Sequence, residues 1–249
     1  MNLTEGPSAK EVSFCKILLK DVQGALGDKV YSFFVYGAAM FPHPSSWRAD
    51  IDFHVILTEP LSKTEVKKIR QIHKRLAQSY SLGSGLDGYY LLLEEAARII
   101  HPKDQVQRGV EDTVWALHRA HVHAGRFQLL TGKDPRTFLT KPTWNDYVPA
   151  LGEELNRIRE PRYGVLNLAR LIYSWTERDV VISKYESGQW ALNNIDPKWR
   201  PVLYAALRSY EGRLKASDEE TLNKMFPEFL AFALGEIGKL DGARIVVRS

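Results

Sequence analysis

Two aspartates one residue apart, Asp50 and Asp52, open the stretch RADIDFHVIL. On a β-strand, residues i and i+2 point to the same side, so this pattern holds two carboxylates next to each other. A third acid, Asp87, stands just before a later apolar run, YYLLL. Upstream, the run YSFFVY ends in Gly37-Ala38-Ala39. Antiparallel or mixed pairing of these strands would bring the three acids to one end of a sheet. Clustered carboxylates repel each other unless a cation lies among them. Magnesium suits such a set, because it takes oxygen ligands and joins a few carboxylates to substrate phosphates. A small residue such as Gly37 lets a phosphate approach the backbone closely. The chemistry these residues describe is metal-assisted phosphoryl or nucleotidyl transfer. An Asp-x-Asp alone could simply cap a turn at a strand edge. The strand–glycine ahead of it and the third acid after it make the pattern more specific.

The elements that must position these residues are legible in the first half of the chain. A helical pattern over 10–26 carries Val12, Cys15, Leu18, Leu19 and Val22 on one side. Val30–Tyr36 is β-rich and ends at Gly37, and residues 49–58 form the aspartate strand. Ser62 with Glu65 three residues on is a capping box, followed by helical spacing to about Tyr80. SLGSGLDG reads as a flexible turn and YYLLL as a buried strand. Residues 111–122 read as helix, Arg126–Leu130 as a short strand and 131–135 as a turn. From about Thr143 the β-rich runs stop. Helical patterns follow at 144–159, 162–178, 183–192, 198–213 and 218–240, with Pro161, Pro197 and Pro201 near their starts. The expected architecture is α+β, with a mixed sheet in an N-terminal domain (residues 1–147) and a helical bundle in a C-terminal domain (residues 148–249).

Composition narrows the function classes. The 249 residues are 44% hydrophobic and 26% charged, the profile of a water-soluble globular protein. One cysteine, Cys15, leaves no internal disulfide framework, which fits a reducing cytoplasm. MNLTEGPSAKEVSF lacks a basic segment followed by an apolar core, so no secretory signal is expected there. No apolar run approaches the ~18 residues of a membrane span. The net charge of +4 is dispersed, and the densest basic group, Lys67 to Arg75, falls on an amphipathic helix. No zinc-finger spacing, RNP-like aromatic pattern or basic tail points to nucleic acid.

The order and spacing of these segments resemble the nucleotidyltransferase superfamily, whose pattern is Gly-Ser, a spacer and Asp-x-Asp. In the second half, VLNLARLIYSW, SKYESGQWAL and RPVLYAALRSYEG, with LTGKDP before them, look like the aminoglycoside adenylyltransferases of the streptomycin/spectinomycin 3''(9) type. The resemblance covers nearly the whole chain. It implies an active site between an N-terminal nucleotidyltransferase domain and a helical bundle, ATP as co-substrate and Mg2+ as cofactor. Carried over, Asp50 and Asp52 hold the metal, and Asp87 takes the place of a glutamate as general base. Gly37, Ala38, Lys184 and Arg208 bind the nucleotide, with Arg200 a further candidate. Tyr185 and Glu186 fall at the acceptor site, and Trp115 is a candidate to stack on a base or sugar.

Two positions depart from the family pattern. Ala38 stands where the family has serine, and Tyr185 where it has an acid just after the matched lysine, although Glu177, Asp179 and Glu186 are close in sequence. The leading expectation is a cytoplasmic, monomeric enzyme that transfers AMP from Mg-ATP to a hydroxyl of a small, hydroxylated and often cationic acceptor, an aminoglycoside antibiotic. No membrane or nucleic-acid partner is expected. The departures keep two other readings open: a nucleotide- or ligand-binding homologue with weak or no catalysis, and an adenylyltransferase acting on a different acceptor. Elsewhere, HRAHVHAG clusters His118, His121 and His123 without zinc spacing, and Cys15 reads as a packed core thiol.

Overall fold

Alternating side chains along β1 (Val30–Tyr36) and β2 (Ile51–Leu57) explain a sheet covered on both faces. With β3 (Leu86–Leu92) and β4 (Phe127–Gly132) they form a sheet in the order β3-β2-β1-β4. β1 runs antiparallel to both β2 and β4, while β2 and β3 are parallel. β2 therefore has strands on both sides, and its side chains are buried except at Asp52, which is partly exposed. That accounts for its near-continuous apolar run.

On one face, Phe33, Val35, Phe53, Val55, Leu57 and Tyr90 pack beneath α1 (Ala9–Leu26) and α2 (Lys63–Ser79). On the other, Phe34, Tyr36, Ile56 and Leu91 meet Ala96 of α3 (Leu93–Ala97), Val122 of α4 (Trp115–His123) and Leu139. Each fully buried large apolar side chain contributes roughly 2–3 kcal/mol. Asp52, His54 and Ile56 share the second face. The strand parity that buries Ile56 thus sets Asp52 on the α4 side of the sheet.

The expected capping box starts α2. Ser62 N–H donates to Glu65 Oε2 at 2.7 Å, and Glu65 N–H donates to Ser62 Oγ at 3.3 Å. Lys29 Nζ donates to the same Glu65 oxygen at 3.0 Å, joining this helix start to the approach of β1. The strand β3 begins earlier than its apolar run suggests, because Leu86, Asp87 and Gly88 already pair with β2. Thr131 and Gly132 likewise extend β4 instead of turning. Gly88 leaves room for the Phe53 ring, since a Cβ there would lie 2.2 Å from two ring carbons. Gly88→Ala should therefore cost about 1–3 kcal/mol by overpacking; a thermal melt unchanged from the native protein would refute that packing.

The computed structural model describes residues 9–41, 50–107 and 114–241. The Pro- and Ser-rich turn over 42–49 and the expected helix start at 111–113 lie outside them. By contacts the described chain divides into two compact units, one up to Pro142 and one from Thr143. The second unit is helical: α5 (Trp144–Arg157), α6 (Pro161–Glu177), α7 (Lys184–Asn194), α8 (Arg200–Tyr210) and α9 (Ala216–Asp241). Pro161 is the first residue of α6 and Pro201 the second of α8, where a missing N–H costs nothing. α6 packs against α5, α7, α8 and α9. It buries side chains nearly all round, from Gly164 to Trp175. Among the described residues, no helix is long and apolar enough to cross a membrane.

Candidate active site

Strand register builds the site. Tyr36 of β1 pairs with Asp52 of β2, and Asp52 pairs with Asp87 of β3. Residues paired across neighbouring strands point to the same face, so Tyr36, Asp52 and Asp87 form one row on the α4 side. Asp87 is exposed and Asp52 partly so. Asp50, exposed just ahead of β2, adds its charge to the same group.

Directly after Tyr36 the chain turns through a short 3-10 segment, Gly37–Met40. Gly37 has φ +80°, and the Asp52 carboxylate lies against its Cα. A Cβ on Gly37 would fall 1.8 Å from Asp52 Oδ2 and 2.6 Å from its Cγ. The Ala38 N–H donates to the same carboxylate. Asp52 is thus seated on the glycine turn, which explains why the glycine and the Asp-x-Asp come together in the sequence.

Burial raises the Asp52 carboxyl to about 6. Nearby His118 lowers it, Asp87 and Asp50 raise it further, and the Ala38 hydrogen bond lowers it. Because the folded value exceeds the unfolded one, this group makes the metal-free fold less stable as pH rises from about 4 through 6. In metal-free protein the Asp52 carboxyl carbon should titrate near pH 6 by NMR, and Asp87→Asn should lower that midpoint. A native midpoint near 4 would contradict the enclosure described here.

Among the described residues, no group of three or more His, Cys, Asp or Glu side chains is placed to hold a metal ion. The donors that remain are carboxylates, with Asp52 kept from its ordinary acidity by burial and by its acid neighbours. A hard cation would relieve that repulsion. Magnesium commonly takes only one or two protein carboxylates and fills its other positions with phosphate oxygens and water. The donor set fits that use and does not fit a closed protein cage.

Tyr36, 2% exposed, adds a network that the sequence did not announce. Its hydroxyl lies 3.0 Å from His54 Nε2 and 3.1 Å from His118 Nδ1. The only advance signal was HRAHVHAG, and spacing alone could not say which histidine faced the acids. His121 packs edge-on against Phe41, and the His123 ring reaches the Leu139 carbonyl at 2.9 Å. Trp115 is 6% exposed. The Arg119 guanidinium lies 4.5 Å from its ring centroid and His101 meets it edge-on, so the ring serves packing here. Arg119 in turn donates to the Ala96 and Arg98 carbonyls, fastening α3 to α4.

The remaining sequence candidates lie in the helical unit. Lys184 opens α7, and its ammonium sits 4.1 Å from the centre of the Tyr163 ring. Tyr185 packs near Tyr210. Glu186 closes a capping box with Ser183, its Oε2 accepting the Ser183 N–H at 3.0 Å. The Arg208 guanidinium grips Asp218 through two hydrogen bonds, Nε donating to Oδ2 at 2.9 Å, and holds that carboxyl at about 2. Arg200 Nε reaches the Leu192 carbonyl. Tyr173 lies among acids: its hydroxyl donates to Asp179 at 3.1 Å, and its ring meets Trp190 edge-on. The Trp190 indole N–H donates to Glu177 at 3.2 Å. Burial, then Asp179, Glu177 and Glu186, push the Tyr173 hydroxyl up to about 12.

Residues 135–235 match the family model described as aminoglycoside adenylyltransferase, C-terminal domain. That match spans the helical second half of the chain and makes it similar to the C-terminal domain of this family. The wider fold agrees. A crystal structure of spectinomycin adenyltransferase AAD(9) from Enterococcus faecialis, solved with ATP and spectinomycin, superimposes with a TM-score of 0.64. It is 16% identical, and the match covers 91% of this chain and 98% of that one. No curated protein matches the chain by sequence. The mixed sheet followed by the helical domain therefore shares the fold of that crystal structure.

Proposed function

We propose that this protein is an adenylyltransferase that moves AMP from Mg-ATP to a hydroxyl of an aminoglycoside of the streptomycin or spectinomycin type. The observation that carries the reading is the Asp52 carboxylate seated on the Gly37–Ala38 turn with Asp87 beside it in register. That arrangement places two acids side by side, one of them in a seat that only a glycine leaves room for.

Asp50 and Asp52 would hold the magnesium. The chemistry the ion supplies when bound is neutralisation of phosphate charge as the transferred group separates from pyrophosphate. Asp87, exposed beside Asp52, accepts the proton of the acceptor hydroxyl. The hydroxyl oxygen forms its bond to the α-phosphorus of ATP as the bond to the β-phosphate oxygen breaks. Asp87 is one methylene shorter than glutamate, and its place within the strand brings its backbone close to Asp52. Lys184, steadied on Tyr163, is the nucleotide-phosphate lysine of the helical domain. Arg208 is the weaker candidate for that work, because Asp218 already takes two of its donors. Glu177, Asp179 and Glu186 around Tyr173 give the helical domain the negative charge a polycationic acceptor needs.

The test is mass spectrometry of an aminoglycoside panel after incubation with the protein, ATP and magnesium. The expected result is a product heavier by one AMP for streptomycin, spectinomycin or a close relative. Ala38 in place of the family serine motivates one rival, a homologue that binds nucleotide without catalysis. Calorimetric binding of Mg-ATP with no adenylylated product across the panel would overturn the proposed transfer in its favour.

A further inference from the structure

A triphosphate needs hydrogen-bond donors, and the glycine turn has few to give. Residue 38 has a methyl instead of a hydroxyl, and its N–H already serves Asp52. Another element can supply a further donor for the nucleotide. The face that carries Asp52 and Asp87 is overlaid by α4, and α4 presents one half-buried histidine there, His118. His118 is close enough to the Asp52 carboxylate to lower its pKa, against Asp87 and Asp50, which raise it.

The ring is also held in place. Tyr36 belongs to the same cross-strand row as Asp52 and Asp87, and its ring centre is 5.0 Å from that of His118. Its buried hydroxyl sits between His118 Nδ1 and His54 Nε2. One hydroxyl proton cannot serve both nitrogens, so Tyr36 donates to one imidazole and accepts from the other. Either arrangement holds the His118 ring by its Nδ1 edge and directs the Nε2 edge away from Tyr36. When its Nδ1 accepts the Tyr36 proton, the half-exposed His118 ring carries its N–H on Nε2, and the acids near it mark where a metal-bound phosphate would lie.

We propose that His118 is a nucleotide-phosphate ligand of this enzyme, standing in for the hydroxyl that residue 38 lacks, and that Tyr36 is the residue that positions it. The inference rests on the nucleotidyl-transfer reading above.

Calorimetry with Mg-ATP tests it on the full chain. His118→Ala should weaken Mg-ATP binding about 10-fold or more, the range for losing a hydrogen bond to a charged group. His118→Gln, which keeps an N–H at nearly the same reach, should recover most of that loss. Tyr36→Phe, which keeps the ring and removes only the hydroxyl, should weaken binding several-fold, and its effect should vanish in the His118→Ala background. In steady state the KM for ATP should rise while the KM for the acceptor holds, a split that a merely structural role would not produce. Thermal melts confirm that each variant is folded. Unchanged Mg-ATP affinity in folded His118→Ala overturns the assignment alone, and so does a His118→Gln variant as weak as His118→Ala. Failure of the unaltered protein to bind Mg-ATP overturns the nucleotidyl-transfer reading and this inference with it.

Discussion

Asp52→Asn should abolish AMP transfer, by about 1000-fold or more, and leave a protein that melts no lower than the original. The loss follows from the position of the side chain. Asp52 touches the glycine turn and pairs in register with Asp87. On the proposed function, removing its charge removes a metal ligand and so several kcal/mol of charge stabilisation in the transition state. The gain in stability follows from the same burial. At neutral pH the folded protein must ionise a carboxyl that it holds at about 6, well above the unfolded value. That ionisation costs up to about 3 kcal/mol, and a neutral amide of the same shape avoids it. Product formation by mass spectrometry and a melt in metal-free buffer read the two effects separately. Full turnover in the Asn variant would remove Asp52 from the metal site. A markedly lower melt would mean that its charge is satisfied in the fold.

Gly37→Ala should be nearly as damaging, and for a steric reason. At φ +80° any side chain is strained by about 1 kcal/mol. The new methyl would also lie 1.8 Å from Asp52 Oδ2, so the carboxylate must leave its seat. A displacement of about 1 Å in a metal-binding acid costs about 100-fold in rate. Gly37→Ala should therefore lose AMP transfer by at least that factor and also lower the melt by about 1–3 kcal/mol. The two variants share a functional defect and differ in the direction of their stability change. A Gly37→Ala enzyme with native activity would show that Asp52 has room to move without cost.

Much of the framework could be read before any coordinates. Apolar spacing located α1, α2 and the five helices of the second half within a few residues, because long amphipathic patterns leave little choice of period. Ser62 and Glu65 announced the start of α2 because a capping box is a local hydrogen-bond exchange, independent of the rest of the fold. α3 escaped notice because its five residues, Leu93–Ala97, are too few to show a period. The short strand pairing at Asp87 and Gly88 was read as turn because both residue types favour turns locally. The neighbouring strand β2 overrides that preference by pairing with them.

The site divides along the same line. A strand's period of two sets Asp52 opposite Ile51 and Phe53, and Gly37 was bound to mark a turn; Asp50 lies just ahead of β2, outside that alternation. Which side Asp52 faces, and what lies beside it, was decided only by packing. The sheet buries Phe53 and Val55 against α1 and α2, and that choice turns Asp52 toward α4. Parallel pairing of β2 and β3 then aligns Asp87 with Asp52 across 35 positions of chain. The same tertiary choices enclosed Trp115, gave Arg208 to Asp218 and brought Tyr36 and His118 together. Sequence spacing specifies what a side chain's own element does with it, whereas a partner from a distant element exists only once both faces are buried. The closely spaced carboxylates were therefore written in RADIDFHVIL, and the histidine near Asp52 became visible only when α4 closed over the sheet.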